Sequence, residues 1–163
     1  MVLLHGLKKE LKKINIFRGT YLLEIKAFSD FSIDSKMFKG NLFPKGYYYY
    51  SGSAQVNFQK RIERHLRKTK NIFWHIDYIT SLRTNKILTV FIFDGKEKDF
   101  ECKLVSDLQK NFSLRHVAKK FGSGDCSTCY SHLLYSKTKI NHNHFISLYH
   151  PTVRFIPSSS EML

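Results

Sequence analysis

Two cysteines and a histidine in the second half of the sequence have the spacing of metal ligands. Cys126, Cys129 and His132 follow one another at three-residue intervals, and Cys102 is available as a fourth ligand. Thiolate and imidazole groups so arranged are typical of zinc sites. The same sulfurs also allow a disulfide from Cys102 to Cys126 or Cys129, a bond that is rare in a mesophile cytosol. Free cysteine is often buried as a small apolar side chain, and we favour this third interpretation over zinc.

One carboxylate lies on the apolar side of a predicted helix. The segment KDFECKLVSDLQKNF, residues 98–112, has a core stripe of Leu104, Val105 and Leu108. Glu101 falls on the same stripe. Because a carboxylate on the buried side of a helix needs a partner, we regard Glu101 as a candidate site residue.

Two basic side chains share one face of an earlier helix. Phe58, Ile62 and Leu66 are spaced four apart and predict an apolar stripe, with Arg61 at its edge. The guanidinium fork of Arg61 matches two phosphate oxygens, although a surface salt bridge is the alternative. His65 lies four residues further along, where it could contact phosphate or relay a proton.

Four consecutive tyrosines, Tyr47 to Tyr50, precede this helix in the stretch KGYYYYSGSA. In a strand, alternation places Tyr48 and Tyr50 on one face and Tyr47 and Tyr49 on the other. Phenol rings favour burial but their hydroxyls need partners, so either packing or chemistry could explain the run. Gly52 and Ser53 would then let the backbone turn into the helix.

The elements that position these side chains follow from hydrophobic periodicity. Three strands are predicted, over residues 19–28, over the tyrosine run and over residues 86–94. The last is apolar on both faces, so we expect it deep in a sheet covered on both sides. Helices are predicted after Ala54, over residues 71–82 with Asn71 as N-cap, and over residues 98–112. Asp77 could orient His75 or cap the second helix.

Composition favours one domain with a polyanionic partner. The chain has 163 residues, 42% of them hydrophobic, and a formal net charge of +14 from 27 basic and 13 acidic side chains. That excess indicates nucleic acid, since the charge is clustered. Three cysteines are too few for a disulfide scaffold, and there is neither a secretory signal pattern nor an apolar stretch that could cross a bilayer. We therefore expect a cytoplasmic protein with no membrane partner.

The chain ends differ from the central segment. In residues 1–18, Leu4, Leu7, Leu11 and Ile14 recur at helical spacing with lysines on the other side. We expect a basic helix docked on the domain or an arm that touches phosphates. The main domain is predicted over residues 19–156, and residues 157–163 are expected to form a frayed tail.

Several segments in order resemble a known nuclease superfamily. Gly19-Thr20-Tyr21 begins the first strand, Tyr50-Ser51-Gly52 ends the second, and a helix with Arg61 follows. With RIERHLR, WHIDYI, EC and FGSGDCSTCYSHLLY, they resemble the GIY-YIG nucleases. The closer match is to the small, mainly archaeal branch that was formerly a domain of unknown function and occurs alone or fused to endonuclease III-like glycosylases. Thr20 and Ser51 replace the isoleucines of the superfamily name.

The resemblance implies a fold and a set of roles. The fold is α/β (α+β), a small, mostly antiparallel sheet of about three strands sandwiched by helices. Glu101 would hold one Mg²⁺ or Mn²⁺ ion together with waters, and Arg61 would grip the phosphate. Tyr21 would receive a proton or orient water, with its pKa lowered by Arg61 and the metal. Tyr50 and His65 complete the catalytic set, with His75 and Tyr48 as reserve candidates.

Basic residues outside this set are candidates for binding the nucleic-acid backbone. The densest cluster lies in RIERHLRKTK, and the full set is Arg64, Arg67, Lys68, Lys70, Lys119 and Lys120. Such contacts position a partner and do not read its sequence. The turn FGSGDCS, residues 121–127, could also present backbone N–H groups to phosphate, or be a plain loop.

Together these features predict a metal-dependent endonuclease that hydrolyses phosphodiester bonds in DNA, in a repair role and with a repair glycosylase as a partner. RNA stays open as a substrate. The alternative is a non-catalytic nucleic-acid-binding module that recruits a repair enzyme. A third hypothesis is a zinc-stabilised interaction domain built on Cys126, Cys129 and His132.

Overall fold

A mixed sheet lies at the centre of the molecule. The computed structural model describes residues 1–6, 13 and 15–158, and side chains from residues 1–3, 13 and 15–158. Within those residues the sheet has seven strands in the order β1-β7-β4-β2-β3-β6-β5. Their bounds are β1 (Val2–Gly6), β2 (Gly19–Ala27), β3 (Gly46–Ala54), β4 (Asn85–Asp94), β5 (Arg115–His116), β6 (Leu133–Ser136) and β7 (Val153–Pro157).

The three long strands predicted from the sequence form the middle of this sheet. β2 pairs antiparallel with β3 and with β4 along its whole length. Every other pairing is antiparallel except that of β1 with β7, so the mostly antiparallel α+β class is confirmed. The expected number of about three strands is wrong. The four additional strands have two to five residues, which is too short for alternation to reveal them.

Four α-helices and one 3₁₀ turn, Lys36–Phe38, accompany the sheet within the described residues. The helices are α1 (Phe58–Leu66), α2 (His75–Thr80), α3 (Asp99–Phe112) and α4 (His142–Tyr149). The predicted α1 and α3 are confirmed. The second helix begins at His75, four residues later than predicted, because the N–H groups of Phe73 and Trp74 donate to the Asp77 carboxylate. Asp77 therefore caps α2, and Asn71 does not.

Each face of the sheet covers a separate core. α1, α2 and the loop between β2 and β3 pack on one face, which contains Tyr21, Tyr48 and Tyr50. α3 and α4 cover the other face, which contains Tyr49, with Tyr47 at its edge. The predicted division of the four tyrosines between two faces is confirmed, as is the burial of the Glu101 stripe on α3. β4 is buried on both sides, as its apolar sequence predicts.

The chain ends are described only in part. Residues 2–6 form β1, so this part of the predicted N-terminal helix is a strand, while residues 7–12 and 14 lie outside the described residues. At the other end β7 extends to Pro157, and residues 159–163 of the predicted tail are outside the description. No described helix combines the length and apolar character needed to cross a membrane.

Candidate functional site

A cavity of about 540 Å³ lies beside the second half of β3. β6 pairs with β3 only over Tyr47–Tyr50, and beyond that pairing Gly52, Ser53 and Ala54 line the cavity. Its volume lies in the range typical of ligand sites. Five residues predicted for the site line this cavity, namely Tyr21, Tyr50, Arg61, His75 and Glu101.

Two glycines make room for the two tyrosines. Tyr21 on β2 lies directly opposite Gly52 on β3, and a Cβ atom at Gly52 would come within 2.6 Å of the Tyr21 ring and hydroxyl. Gly122, whose φ is +70°, lies against the Tyr50 ring in the same way, at 2.5 Å from an added Cβ. Side chains larger than hydrogen would therefore displace both rings. The tyrosine-x-glycine pattern reflects cross-strand packing as well as any chemistry.

Tyr21 is paired with His65 behind the cavity wall. The Tyr21 hydroxyl oxygen lies 2.8 Å from His65 Nε2, and both side chains are buried. Burial and the nearby Lys70 ammonium lower the pKa of His65 to about 3, so the imidazole is neutral at physiological pH. Because His65 is buried, the structure does not support a direct contact of its side chain with phosphate. The alternative role predicted for His65, as a proton relay, stays a prediction.

The ionisation of Tyr21 differs from the sequence-based expectation. Burial raises the pKa of Tyr21 well above its usual value, and neighbouring Tyr50 adds to this effect. The charge and hydrogen bond of Arg61 lower it by less. The expected depression of the pKa by Arg61 is therefore outweighed by desolvation, and Tyr21 is a neutral phenol in the protein alone. Burial likewise raises the pKa of Tyr50.

Arg61 is held at the cavity by an aromatic platform. Its guanidinium carbon lies 4.1 Å above the centroid of the Trp74 ring, a cation–π stacking distance. Trp74 also lines the cavity, next to Phe73, whose side chain is 76% exposed. A cation–π contact holds a guanidinium over an indole while its N–H groups can still donate, as Arg61 does to Tyr21. Arg61 thus has the orientation of a binding group and not that of a surface ion pair.

Glu101 reaches the cavity from the first turn of α3, on the opposite face of the sheet. The hydroxyl of Ser51 donates to the Glu101 carbonyl at 3.3 Å, and that of Thr20 donates to the Glu97 carbonyl at 3.0 Å. The two residues that depart from the superfamily name therefore attach the start of α3 to β2 and β3. The Glu101 carboxylate is buried, and its Oε2 lies 3.1 Å from Nδ1 of His132. That contact has ion-pair distance, although the N–H direction is too bent for a regular hydrogen bond.

The two reserve candidates occupy different places. His75 lines the cavity, and its Nδ1 accepts the Gly122 N–H at 3.1 Å, which joins α2 to the glycine-rich turn. Burial lowers the pKa of His75, so its neutral form is favoured. Tyr48 is fully buried away from the cavity, and its hydroxyl donates to the Pro44 carbonyl. Tyr48 is therefore a packing residue.

Three of the predicted nucleic-acid-binding cations have partners inside the fold. Lys68 Nζ donates to the carbonyls of Thr80 at the end of α2, Leu82 in the following connection and Asn85 at the start of β4, and burial lowers the pKa of Lys68 to about 8. The hydrogen-bond acceptors of Lys70 are the carbonyls of Arg64 and His65 and the hydroxyl of Thr80.

Arg64 forms an ion pair with buried Asp77 at 2.7 Å, and Lys70 lies 3.7 Å from the same carboxylate. Burial raises the pKa of Asp77, but the Trp74 N–H, Arg64 and other donors outweigh it, so the pKa is lowered. Three cations of the basic cluster RIERHLRKTK, Arg64, Lys68 and Lys70, thus stabilise α2 and the segment that follows it.

The remaining predicted cations lie nearer to solvent. Arg67 and Lys119 are exposed, whereas Lys120 is partly buried and donates to the Cys126 carbonyl at 2.7 Å. The turn at residues 121–127 is not a free anion nest, since the Gly122 N–H donates to His75 and the Cys126 N–H to the Ser123 carbonyl. Gly122, Gly124 and Asp125 nevertheless line the cavity.

The three cysteines and His132 are gathered into one cluster that could hold a metal ion. One ligand atom from each of Cys102, Cys126, Cys129 and His132 lies within 4.8 Å of every other. The structure pairs Cys102 with Cys129, whose Cα atoms are 6.0 Å apart, a separation that a disulfide permits. Burial raises the pKa of Cys126, but donors including the Thr128 hydroxyl and the Cys129 N–H outweigh it and lower the pKa to about 7.

Several cavity residues were missed by sequence reasoning. Phe73, Trp74, Lys98 and Asp125 all line it, and the Lys98 ammonium forms an ion pair with the Asp125 carboxylate. The adjacent aromatic residues Phe73 and Trp74, ahead of a short helix, were a signal that the sequence offered. The Lys98–Asp125 pair could not be predicted from the sequence, because its two residues are 27 positions apart on two loops.

Comparisons with known proteins give one match. No curated protein and no solved structure matches the chain. A family described as domain of unknown function DUF123 matches residues 20–154, which includes every residue that lines the cavity. The matched span runs from the start of β2 to the middle of β7, so it also contains the cysteine–histidine cluster. The protein therefore belongs to the DUF123 family.

Proposed function

We propose that the protein is a metal-dependent endonuclease of the GIY-YIG type that hydrolyses phosphodiester bonds in DNA. The observation that carries this proposal is the convergence of Tyr21, Tyr50, Arg61 and Glu101 on one cavity from four different elements. Their order along the chain is the order of the superfamily motifs. A binding protein has no evident need for a buried carboxylate beside an arginine and two phenols in one cleft.

Arg61 supplies the phosphate-binding group. Its guanidinium is permanently charged, lies over the Trp74 ring and lines the cavity, so its fork of N–H groups can donate to two phosphate oxygens at once. Exposed Phe73, whose ring contacts the Trp74 ring, also lines the cavity and offers a surface on which a base can stack. A nucleotide can therefore be held through its phosphate and its base on adjacent groups.

Glu101 fits the metal that the proposal requires. Of the two carboxylates that line the cavity, Asp125 is paired with Lys98. The Glu101 carboxylate contacts His132 through Oε2, which leaves other lone pairs for a ligand. A hard cation such as Mg²⁺ or Mn²⁺ is commonly bound through one or two carboxylates and keeps several waters. When bound, it would stabilise the charge on the phosphate and on the leaving oxygen.

The Tyr21–His65 pair can orient the attacking water and move its proton. Neutral Tyr21 accepts a hydrogen bond from water through its hydroxyl oxygen while donating its own proton toward His65 Nε2, 2.8 Å away. As water attacks phosphorus, its proton passes to the Tyr21 oxygen and the phenolic proton passes to His65. Nε2 of the neutral imidazole has the lone pair that accepts this proton, and the negative charge of a bound phosphate must raise the low pKa of His65 for the relay to operate.

The proposal is tested by strand cleavage. Supercoiled plasmid and lesion-bearing duplexes are incubated with the protein and Mg²⁺ or Mn²⁺, with EDTA as the negative control. Glu101→Gln and Arg61→Ala are expected to lose at least about a hundredfold in rate, the scale of losing an electrostatic catalytic group. Exposed Arg83 serves as the matched control, so Arg83→Ala should cleave normally. Equal activity in all four proteins would remove the assignment.

A non-catalytic DNA-binding module is the second candidate. The cation–π pair at the cavity mouth and the net charge of +14 favour nucleic-acid binding whether or not cleavage follows. Tight binding of DNA with no cleavage in any divalent metal would support this candidate over the first. In that case a repair role would consist of recruiting another enzyme to the DNA.

A further inference from the structure

We propose that Cys102, Cys126, Cys129 and His132 form a structural zinc site that also holds Glu101 in position. The four ligand atoms already lie within 4.8 Å of one another. The Cys102 sulfur is 3.1 Å from that of Cys126 and 3.5 Å from His132 Nε2. A tetrahedral zinc site with three sulfurs and one nitrogen needs ligand separations of about 3.4 to 3.8 Å. The contacts of Cys102 with Cys126 and His132 are already close to this range, whereas the Cys102 and Cys129 sulfurs must separate from bonding distance.

The donors are those of a closed zinc site and not of a hard-cation site. Three thiolates and one imidazole select a soft or borderline metal, and four protein ligands leave no open position for a substrate. The Cys126 sulfur also accepts the Cys129 N–H at 3.3 Å and contacts the Thr128 hydroxyl at 3.3 Å. Such donors stabilise the thiolate that zinc requires, and each thiol releases its proton on binding.

His132 connects this cluster to the cavity. Its Nε2 faces the Cys102 sulfur, while its Nδ1 lies 3.1 Å from Oε2 of Glu101. A metal-bound histidine usually presents its other ring nitrogen to a carboxylate, which fixes the ring and the carboxylate together. His132 is buried, so the arrangement is shielded from water. In this protein the carboxylate partner belongs to Glu101, which lines the cavity. His132 is therefore a positioning residue for Glu101.

The site also joins two parts of the cavity wall. Cys102 belongs to the first part of α3, one residue after Glu101, whereas the other three ligands belong to the loop between β5 and β6. That loop carries Gly122, against the Tyr50 ring, and Asp125, which lines the cavity. Zinc would therefore clamp the loop to the helix where both border the cavity.

A disulfide between Cys102 and Cys129 is the competing state, and thiol counting separates the two. The chain has three cysteines. Protein purified under air, denatured and treated with a thiol reagent without reductant should yield three reactive thiols if zinc protected the cysteines. One reactive thiol would show a disulfide and would overturn the zinc site.

Metal analysis of the full chain gives the stoichiometry. We expect one zinc per chain, reduced to background in Cys126→Ser and His132→Gln but retained in Ser127→Ala and His144→Gln, which alter residues outside the ligand set. If the ligand variants fail to fold, the wild-type protein decides: cobalt replacing zinc should give the intense visible bands of a tetrahedral thiolate site. Less than stoichiometric zinc together with colourless cobalt protein would reject the site.

The link to Glu101 rests on the proposed function and is tested separately. His132→Cys keeps four zinc ligands but removes the imidazole beside Glu101. We expect zinc to stay stoichiometric while Mn²⁺ binding, followed by electron paramagnetic resonance, weakens roughly tenfold, the scale of losing an outer-shell partner. Unchanged Mn²⁺ affinity would overturn the positioning role. None of these measurements uses DNA, so failure of cleavage and failure of the zinc site remain distinguishable.

Discussion

At the residue scale, the site depends on close contacts that fix two phenol rings. Tyr21 is held between Gly52 on the facing strand and His65 on α1, while Tyr50 is held against Gly122. The pairing of tyrosine with glycine across two strands was visible as a motif. The desolvation that keeps Tyr21 protonated was not visible, because burial depends on elements distant in sequence.

The contact between Gly52 and Tyr21 yields a stability prediction. Gly52→Ala places a Cβ 2.6 Å from the Tyr21 ring, so the free energy of unfolding should fall by about 1 to 3 kcal/mol, the usual cost of overpacking. Urea denaturation measures the change. Gly124→Ala is the matched control, since a Cβ there meets nothing within 4 Å, and it should stay within about 0.5 kcal/mol of wild type.

Burial of neutral His65 yields a pH prediction. Its pKa is lowered from 6.5 to about 3 in the folded state, so the unfolded state binds more protons between these values. Stability is therefore lost as pH falls from about 6.5 toward about 3, by up to about 1.4 kcal/mol per pH unit from this group. Urea denaturation across this range should show a shallower pH slope in His65→Gln than in wild type. Identical slopes would contradict the burial of a neutral imidazole.

At the element scale, the short helix α2 is stabilised by side chains from α1 and the segment after it. Asp77 caps its start, Arg64 pairs with Asp77, and Lys68 donates to the carbonyl of its last residue and to two more carbonyls between α2 and the start of β4. Periodicity predicted α1, α3 and the three central strands because each extends over enough residues. α2 began later than predicted, since its first turn is set by a side-chain cap and not by apolar spacing.

The role of Lys68 yields a prediction that separates structure from DNA binding. Lys68→Met should lower the free energy of unfolding by about 2 to 4 kcal/mol, because buried carbonyls lose a charged donor. Chemical denaturation measures the loss. Exposed Lys60 lies nearby on α1, and Lys60→Met should change stability by less than about 0.5 kcal/mol. A stability loss equal to that of Lys60→Met would contradict the structural role of Lys68 and would leave it as a candidate for contacts with phosphate.

At the scale of the whole molecule, a basic domain contains a cavity whose candidate metal-binding carboxylate is Glu101, since the second carboxylate there, Asp125, is paired with Lys98. The net charge and the mostly antiparallel α+β class could be predicted, since composition and long strands express them directly. The strands β5, β6 and β7 could not, as two to five residues carry no period. The loop between β5 and β6 brings Gly122 and Asp125 to the cavity. Its position depends on the pairing of these two short strands, which the sequence did not reveal.

The charge excess predicts salt-dependent DNA binding. The logarithm of the association constant should fall linearly with the logarithm of salt concentration, as counterions are released. Arg67→Ala and Lys119→Ala should each reduce the slope by about 0.9, one phosphate contact. Lys137 follows the end of β6 that pairs with Tyr47, far from the cavity, so Lys137→Ala should leave the slope unchanged. The association constants are measured by fluorescence anisotropy with a labelled duplex. Equal slopes in the wild type and all three variants would show that the DNA contacts neither Arg67 nor Lys119.

The most direct test of the proposed active site is a crystal of the protein with a DNA duplex, soaked in manganese. We predict an anomalous peak beside the Glu101 carboxylate, a phosphate against Arg61 within reach of Tyr21, and a strand break that develops with soaking time. An intact duplex bound on another surface, with no manganese at Glu101, would contradict it.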